Sequence, residues 1–458
     1  MSSSNVASGS PAGAAAGAPV ERKAMTVLSA SFLGIGGMVG AGIFALLGEA
    51  GQIAGSAVWL SFLAAGIVAL LQAYSFAKLG ARYPSRGGIV EYLVQEFGNG
   101  HITGIICWIF FFNAAIVMSM VAVSFSSYAG ELIAGDEPST TLRNALVIGL
   151  VILVVGINLI GPQLVARAQV VVVWAVIAIL TGFAVVLIFN LDPDLLAPST
   201  YPSGADVMSS VALTFFAFLG FNVIAFSAGD LENPKRDLPR AMFIAIGATL
   251  ALYVALAIGV FGTLSVDEVI AEGDTAMAAA AKPSLGEAGF TLMLLAASFS
   301  TCSAFNANVY AGGGFLGSLA QRRQFPAFFA NKVGPHGILG ILISASIVVV
   351  FSLLFDLTAI ASMGSAVTLV FFTLITVGHI PLAKETGAKV WLLVVATLAA
   401  LITFLLFFFG TLIDEPNTLI AIVVVFALAI AVDFVWKWLR DRNHPGAESP
   451  ATSPGGRA

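Results

Sequence analysis

The chain has 458 residues, 59% of them hydrophobic and only 10% charged, with a formal net charge of −5. Ordinary soluble domains carry about a quarter charged residues, so this composition excludes one, and its mild acidity gives no grounds for a nucleic-acid partner. The two cysteines, Cys107 and Cys302, both fall in apolar stretches, which argues against a disulfide and rules out a zinc site made of thiols alone.

From the N-terminus, residues 1–19 are rich in Ala, Gly and Ser, with two prolines and no positive charge. This predicts a disordered tail over 1–24 rather than a cleavable signal peptide. Apolar runs long enough to cross a bilayer, about 18 residues or more, then recur to the end. They predict spans at 25–50, 57–81, 102–130, 144–161, 167–189, 207–229, 240–264, 289–319, 337–355, 358–380, 389–412 and 416–438, followed by a second tail over 441–458. The expectation is an all-α polytopic membrane protein of twelve transmembrane helices.

Span 1 contains GIGGMVGAGIFALLG, in which Gly34, Gly36, Gly37, Gly40 and Gly42 crowd into nine residues. Each glycine inside a helix costs about 1 kcal/mol relative to alanine. Close helix contacts of the small-xxx-small kind account for the Gly36–Gly40 spacing, but not for the other three. The second interrupted span is the sixth, SSVALTFFAFLGFNVIAFSAGD, where Gly220 and Asn222 break a bulky aromatic run. The two are five spans apart and so run in opposite directions. That is compatible with inverted repeats over 25–190 and 206–384, with the last two spans (389–440) appended, and paired broken spans point to a transporter's binding site. A broken helix exposes N–H groups at one stump and carbonyls at the other. The first attract a carboxylate and the second an ammonium, so a zwitterionic amino-acid backbone suits both.

The loops orient the chain. Eighteen of the twenty Lys and Arg residues fall on one side of the predicted spans, leaving Arg143 and Lys282 opposite. By the positive-inside rule both termini are cytoplasmic. The opposite loops are acidic (Asp136, Glu137, Asp192, Asp194, residues 267–274, Asp414, Glu415), as a solvated face allows. No ionisable residue lies near the middle of a span: Glu49, Glu131, Asp206, Asp230 and Asp356 are near ends, and Asp433 with Lys437 reads as a helix-surface pair. His101, His336, His379 and His444 read as interfacial or tail residues. Clustered acids, histidines or cysteines at membrane depth, which a membrane-embedded enzyme needs, are missing, so no catalytic residues and no metal site are expected. Matching charge by backbone alone favours a neutral zwitterion over a side-chain cation.

Four motifs carry a resemblance. GIGGMVGAGIF is similar to the first-span signature of the amino acid–polyamine–organocation permeases, and FFAFLGFN with GDLENPKRDLPRAM resembles their sixth span and following loop. RYPSRGGIVEYLVQEFG and LAQRRQFPAFFANKVGPHG resemble their loops after spans 2 and 8. The resemblance implies a five-plus-five inverted-repeat fold with discontinuous helices 1 and 6. It also implies secondary transport of amino acids or related amines across the inner or plasma membrane by alternating access.

It implies, further, a carboxylate site on the N–H groups of Ala41, Gly42 and Ile43, beside Gly40, and an ammonium site on carbonyls of Met38, Phe216, Ala217 and Leu219. Phe221 would close over the substrate. This sequence departs from the family at Ala41, where Ser or Thr is customary, at Asn222 and Asn113, where some relatives carry acids, and at Gly229-Asp230, where two acids are usual. Span 5 lacks a lysine that many proton-coupled members carry, having Trp174 and Val176 near that place. No cofactor is expected beyond a coupling proton or sodium ion. A sodium ion needs only oxygen ligands, and Ser300, Thr301 and Ser303 with carbonyls near Gly34 and Gly37 offer them. The competing account is that these hydroxyls bond their own helix. Partners are the lipid bilayer and a small amino acid or amine. A polyamine, cationic amino-acid or amine exchanger and a non-transporting amino-acid sensor stand as alternatives; the oligomeric state is left open.

Overall fold

The computed structural model describes residues 25–40, 42–85, 87–135, 138–160, 162–322, 324–326 and 335–443, with backbone only at 159–160, 162–169, 310–311, 313–314, 321, 335–341 and 443. Both tails up to residue 24 and from 444, Ala41, Asp136, Glu137, Arg86, Arg323 and Lys332 lie outside the described residues, as do the side chains of Arg167 and His336.

Eighteen helices follow one another among the described residues. They are α1 (Val27–Val39), α2 (Gly42–Ala54), α3 (Val58–Arg82), α4 (Ile89–Phe97), α5 (His101–Ala134), α6 (Thr140–Ile160), α7 (Pro162–Asn190), α8 (Gly204–Phe216), α9 (Asn222–Phe226), α10 (Pro234–Phe261), α11 (Val266–Glu272), α12 (Ala276–Ala279), α13 (Lys282–Gln321), α14 (Pro335–Leu354), α15 (Leu357–His379), α16 (Ala383–Thr386), α17 (Val390–Gly410) and α18 (Pro416–Asn443). Each stretch expected to span is mainly helical over its described residues. Among the described residues, ten helical stretches are long and apolar enough to cross a membrane, and the apolar helices Val27–Val39 and Leu342–Leu354 are shorter. The protein is a polytopic helical membrane protein. The last helix runs to Asn443, past the expected start of the tail at 441.

Local chemistry sets the ends. Ser203 caps α8 by accepting from the Asp206 N–H, Asp356 caps α15 by accepting from Ala359, and Ser265 with Glu268 forms a capping box on α11. The short helices α4, α11 and α12 lie in connections that the hydropathy pattern treats as loops, since none is long enough to register as a span.

Burial separates the helices into an inner and an outer set. In an apolar 18-residue window of each stretch, 89% is buried within the protein for Gly204–Asp230 and 78% for the stretch from Leu357, against 28% for each of the stretches from Val390 and from Pro416. The first two are therefore core elements, and α17 and α18 face lipid over most of their surface. Lipid tails are as apolar as leucine, so contacts between helices rest on close packing rather than on the hydrophobic effect.

Packing adds to one polar reading and corrects another. His379, at the end of α15, is fully buried within the protein, with Nδ1 2.8 Å from Ser75 Oγ and Nε2 2.8 Å from Thr386 Oγ1. Two hydroxyls satisfy both ring nitrogens, which makes burial tolerable. Asp433 and Lys437 are not a surface pair. Lys437 Nζ stands 2.8 Å from Asp433 Oδ1, their side chains are 5% and 0% exposed, and Asp433 Oδ2 is 2.7 Å from His101 Nδ1. Gly104 on α5 leaves the space these charged groups occupy, because a Cβ there would collide with both.

Candidate binding site at the two helix breaks

Helix α1 leaves helical hydrogen bonding at Gly40, and α2 begins at Gly42. Helix α8 ends at Phe216; Ala217 and Phe218 form a turn, Leu219–Phe221 a 3-10 turn, and α9 resumes at Asn222. The two breaks meet backbone to backbone. A Cβ on Gly37 would lie 3.2 Å from Gly220 Cα, and one on Gly220 would lie 2.8 Å from Gly37 Cα and closer still to Met38 N. No side chain fits at Gly220. Gly42 is equally confined, since a Cβ would meet the Ala217 carbonyl and come within 2.5 Å of the Tyr253 hydroxyl.

Tyr253, from α10, joins the breaks. Its hydroxyl donates to Met38 O at 2.7 Å, with Ala217 O at 3.4 Å. One donor thus stands where carbonyls of both breaks converge, the groups assigned above to an ammonium. Both partners, Met38 and Ala217, are residues named from sequence. Tyr253 itself was missed. The only signal for it is a hydroxyl inside the apolar run LALYVALAI, which needs a partner at that depth.

The remaining named residues distribute around this centre. Phe216 packs over Gly364 on α15, and Phe221 sits edge-on to Phe76 with centroids 5.7 Å apart and 5.3 Å from Phe372. Both phenylalanines are core residues. The Leu219 carbonyl is bonded by the Asn222 N–H, within the 3-10 turn. Asn222 opens α9 rather than breaking the helix; the break lies before it, from Ala217 to Phe221. Asn113 accepts from the Thr368 hydroxyl at 3.1 Å. Ala41 is outside the described residues.

Of the residues offered for sodium, Gly34 faces Ile224 and Ala245, and Gly37 faces Gly220. The glycine against α13 is instead Gly40, beside the Ser300 carbonyl and Ala304; Gly36 faces Val173 on α7 and lines a small cleft with Ser300, Ser303, Val172 and Val176. Thr301 donates to Ala297 O at 2.7 Å, one turn back on its own helix, and Ser303 Oγ is buried without a partner. Among the described residues no group of three or more His, Cys, Asp or Glu could hold a metal ion.

Both ends of the breaks are covered. At one end the Met25 N–H donates to Asp230 O at 2.8 Å and Glu91 pairs with Arg322. At the other, Gly48 packs against the Gly273 carbonyl and Glu49 Oε2 accepts from Thr358 at 2.6 Å.

Residues 25–434 match the family described as amino acid permease. The chain belongs to that family. Among similar proteins, an uncharacterised protein of Methanocaldococcus jannaschii is 32% identical over 426 residues, covering 93% of this chain and 98% of its own length. The inner membrane transport protein YbaT of Escherichia coli is 30% identical over 405 residues, covering 88% and 94%. A cationic amino acid transporter of Arabidopsis thaliana, described as mitochondrial, is 27% identical over 376 residues, covering 78% and 61%. The protein is a membrane permease, not an enzyme.

Proposed function

We propose that the permease is a secondary transporter that moves amino acids, neutral zwitterions first among them, by alternating access. The substrate carboxylate is held at the N-terminus of α2 by the N–H groups of Ala41, Gly42 and Ile43. Its ammonium is held by the carbonyls of Met38, Phe216, Ala217 and Leu219. The supporting observation is the Tyr253 hydroxyl, which engages the Met38 and Ala217 carbonyls together and so marks where the two broken spans turn carbonyls toward one donor. On binding, the substrate takes these groups over from Tyr253.

In this reading α1 with α2 forms one broken span and α14 a further span, which with the other ten gives twelve. Residues 25–190 and 206–384 are inverted repeats, and both termini lie in the cytoplasm of a cell bounded by the inner or plasma membrane. The Arabidopsis relative is described as a cationic amino acid transporter, which favours a cationic amino acid as the second reading. Against it, Asn113 and Asn222 stand where a side-chain cation would want acids.

The test is radiolabelled uptake into proteoliposomes under imposed proton and sodium gradients, with competition by alanine, leucine, arginine and putrescine. Neutral amino acids should compete best; preference for arginine or putrescine overturns the zwitterion reading. Replacing sodium on both sides decides whether the Ser300–Ser303 region serves an ion. Gly42→Leu should abolish uptake while leaving insertion intact, and retained uptake contradicts the carboxylate site. Specific substrate binding without flux would make the protein a sensor.

A further inference from the structure

Helix α4 is held in place on almost every side. Gly88, at its start, adopts a φ of 48° that a side chain disfavours, and a Cβ there would strike Phe226 at the end of α9. Glu91 pairs with Arg322 at the end of α13, and the Leu93 carbonyl accepts from Thr103 on α5 at 3.2 Å. The Tyr92 ring meets Phe76 on α3 edge-on at 6.1 Å. The helix thus straps together α3, α5, α9 and α13 beside the inner stump of the broken sixth span.

Two groups on α4 are less well provided for. Tyr92, whose hydroxyl lies beside Gly80 on α3, and Glu96, which meets α15, stand one turn apart. Both carboxyl oxygens of Glu96 and the Tyr92 hydroxyl are buried without a hydrogen-bond partner among the described residues. Glu96 Oε2 lies 2.8 Å from where a Cβ of Gly378 would be, and the Phe97 ring covers the same glycine. Native proteins pair nearly all such groups, so two orphans on adjacent turns ask for an account.

Among the described residues, the charged and titratable groups on the surrounding elements do not supply it. On α13, Arg322 is committed to Glu91, and on α15, His379 is bonded to Ser75 and Thr386. On α5 and α18, His101 and Lys437 are committed to Asp433. At the end of α3, Lys78 lies over the Tyr74 ring, Arg82 over the Tyr83 ring, and Tyr83 donates to Glu385 of α16. Burial pushes the Glu96 carboxyl well above the usual carboxylate range.

We infer that Glu96 is a proton-binding site through which pH on the α4 side controls how firmly α4 seals the inner face against α15. Docked against Gly378, the side chain is the neutral acid. When α4 lifts, water reaches the carboxyl and it ionises, so a falling proton concentration draws α4 away. The same groups meet the same side of the membrane before and after opening, so the proton is returned where it came from. This is control of a gate, not coupling of a proton to the substrate. That the side is cytoplasmic rests on the orientation proposed above.

The experiment is hydrogen exchange, read by mass spectrometry on the peptide over residues 87–98, in full-length protein held in lipid nanodiscs across a pH series starting near the ordinary carboxylate value. After correction for intrinsic exchange, opening of α4 should rise about tenfold per pH unit in the unaltered protein. Glu96→Gln, neutral and of the same shape, should show no such slope. Tyr92→Phe should keep the slope while lowering opening throughout, because it removes the other orphan. A flat profile in the unaltered protein, or an equal slope in Glu96→Gln, overturns the proposal. No substrate is needed, so failure of the transport reading shows itself separately, as absent flux in proteoliposomes.

Discussion

Substituting alanine at Gly220 tests the meeting of the two breaks most directly. A Cβ there would lie 2.8 Å from Gly37 Cα and nearer to Met38 N, whereas ordinary contacts begin at 3.4 Å. The obstructing atoms are backbone, so no rotamer change can relieve the clash, and the seam must widen by roughly 1 Å. Overpacking of this kind costs about 1–3 kcal/mol. A widening of that size also displaces Met38 O and Ala217 O from the single hydroxyl that reaches both. A misplacement of about 1 Å in a positioned site can cost about 100-fold in rate, so the expected loss in uptake exceeds the loss in stability. The assay pairs initial uptake rates in proteoliposomes with thermal unfolding in detergent. Gly182→Ala serves as the control, since nothing lies within 4 Å of a Cβ at that glycine. Wild-type uptake by Gly220→Ala, at equal reconstitution, would refute the claim that the binding site is made where these two backbones touch.

Other substitutions probe the polar groups. Tyr253→Phe leaves Met38 O without its donor, so the empty protein should lose about 1–3 kcal/mol of stability, and substrate should restore more of the melting temperature than in wild type; an unchanged melting temperature contradicts the bridging role. Lys437→Met strands the buried Asp433 with His101 alone and should destabilise by about 3–5 kcal/mol, with Asp433→Asn added to it recovering much of the loss; equal stability of the single and double variants would show that the pair is not coupled. For Glu96, the folded protein holds the proton more tightly than the unfolded chain. Its contribution to stability is therefore fully present below the ordinary carboxylate value of 4.5 and lost as pH rises through the raised one. Melting curves across that window should fall with pH in wild type and less so in Glu96→Gln; parallel curves would be the contrary result.

Much of this protein is legible in its sequence because the bilayer leaves few choices. A backbone in hydrocarbon must satisfy itself, so apolar runs of sufficient length become helices, as the described residues of the expected runs mainly do. The breaks are legible for a related reason: Gly37, Gly40, Gly42 and Gly220 are expensive in a helix that merely spans. Their density marks where backbone is exposed or closely approached, and Gly37 against Gly220 is such an approach. Short connecting helices such as α4 were not legible, because nine residues with Glu91, Gln95 and Glu96 among them look like any polar loop.

Hydropathy and glycine spacing determined, without coordinates, that the chain is a helical membrane protein with two interrupted spans. What only the tertiary structure decided is which groups answer one another across helices far apart in the chain. Met38 and Tyr253 are 215 residues apart, and no periodicity along one helix reports a hydroxyl arriving from another. His379, Asp433 and Lys437 belong to the same class. Polar residues near helix ends read as interfacial when each helix is viewed alone, and their burial is set by neighbours, Ser75, Thr386 and Gly104, that lie on other helices.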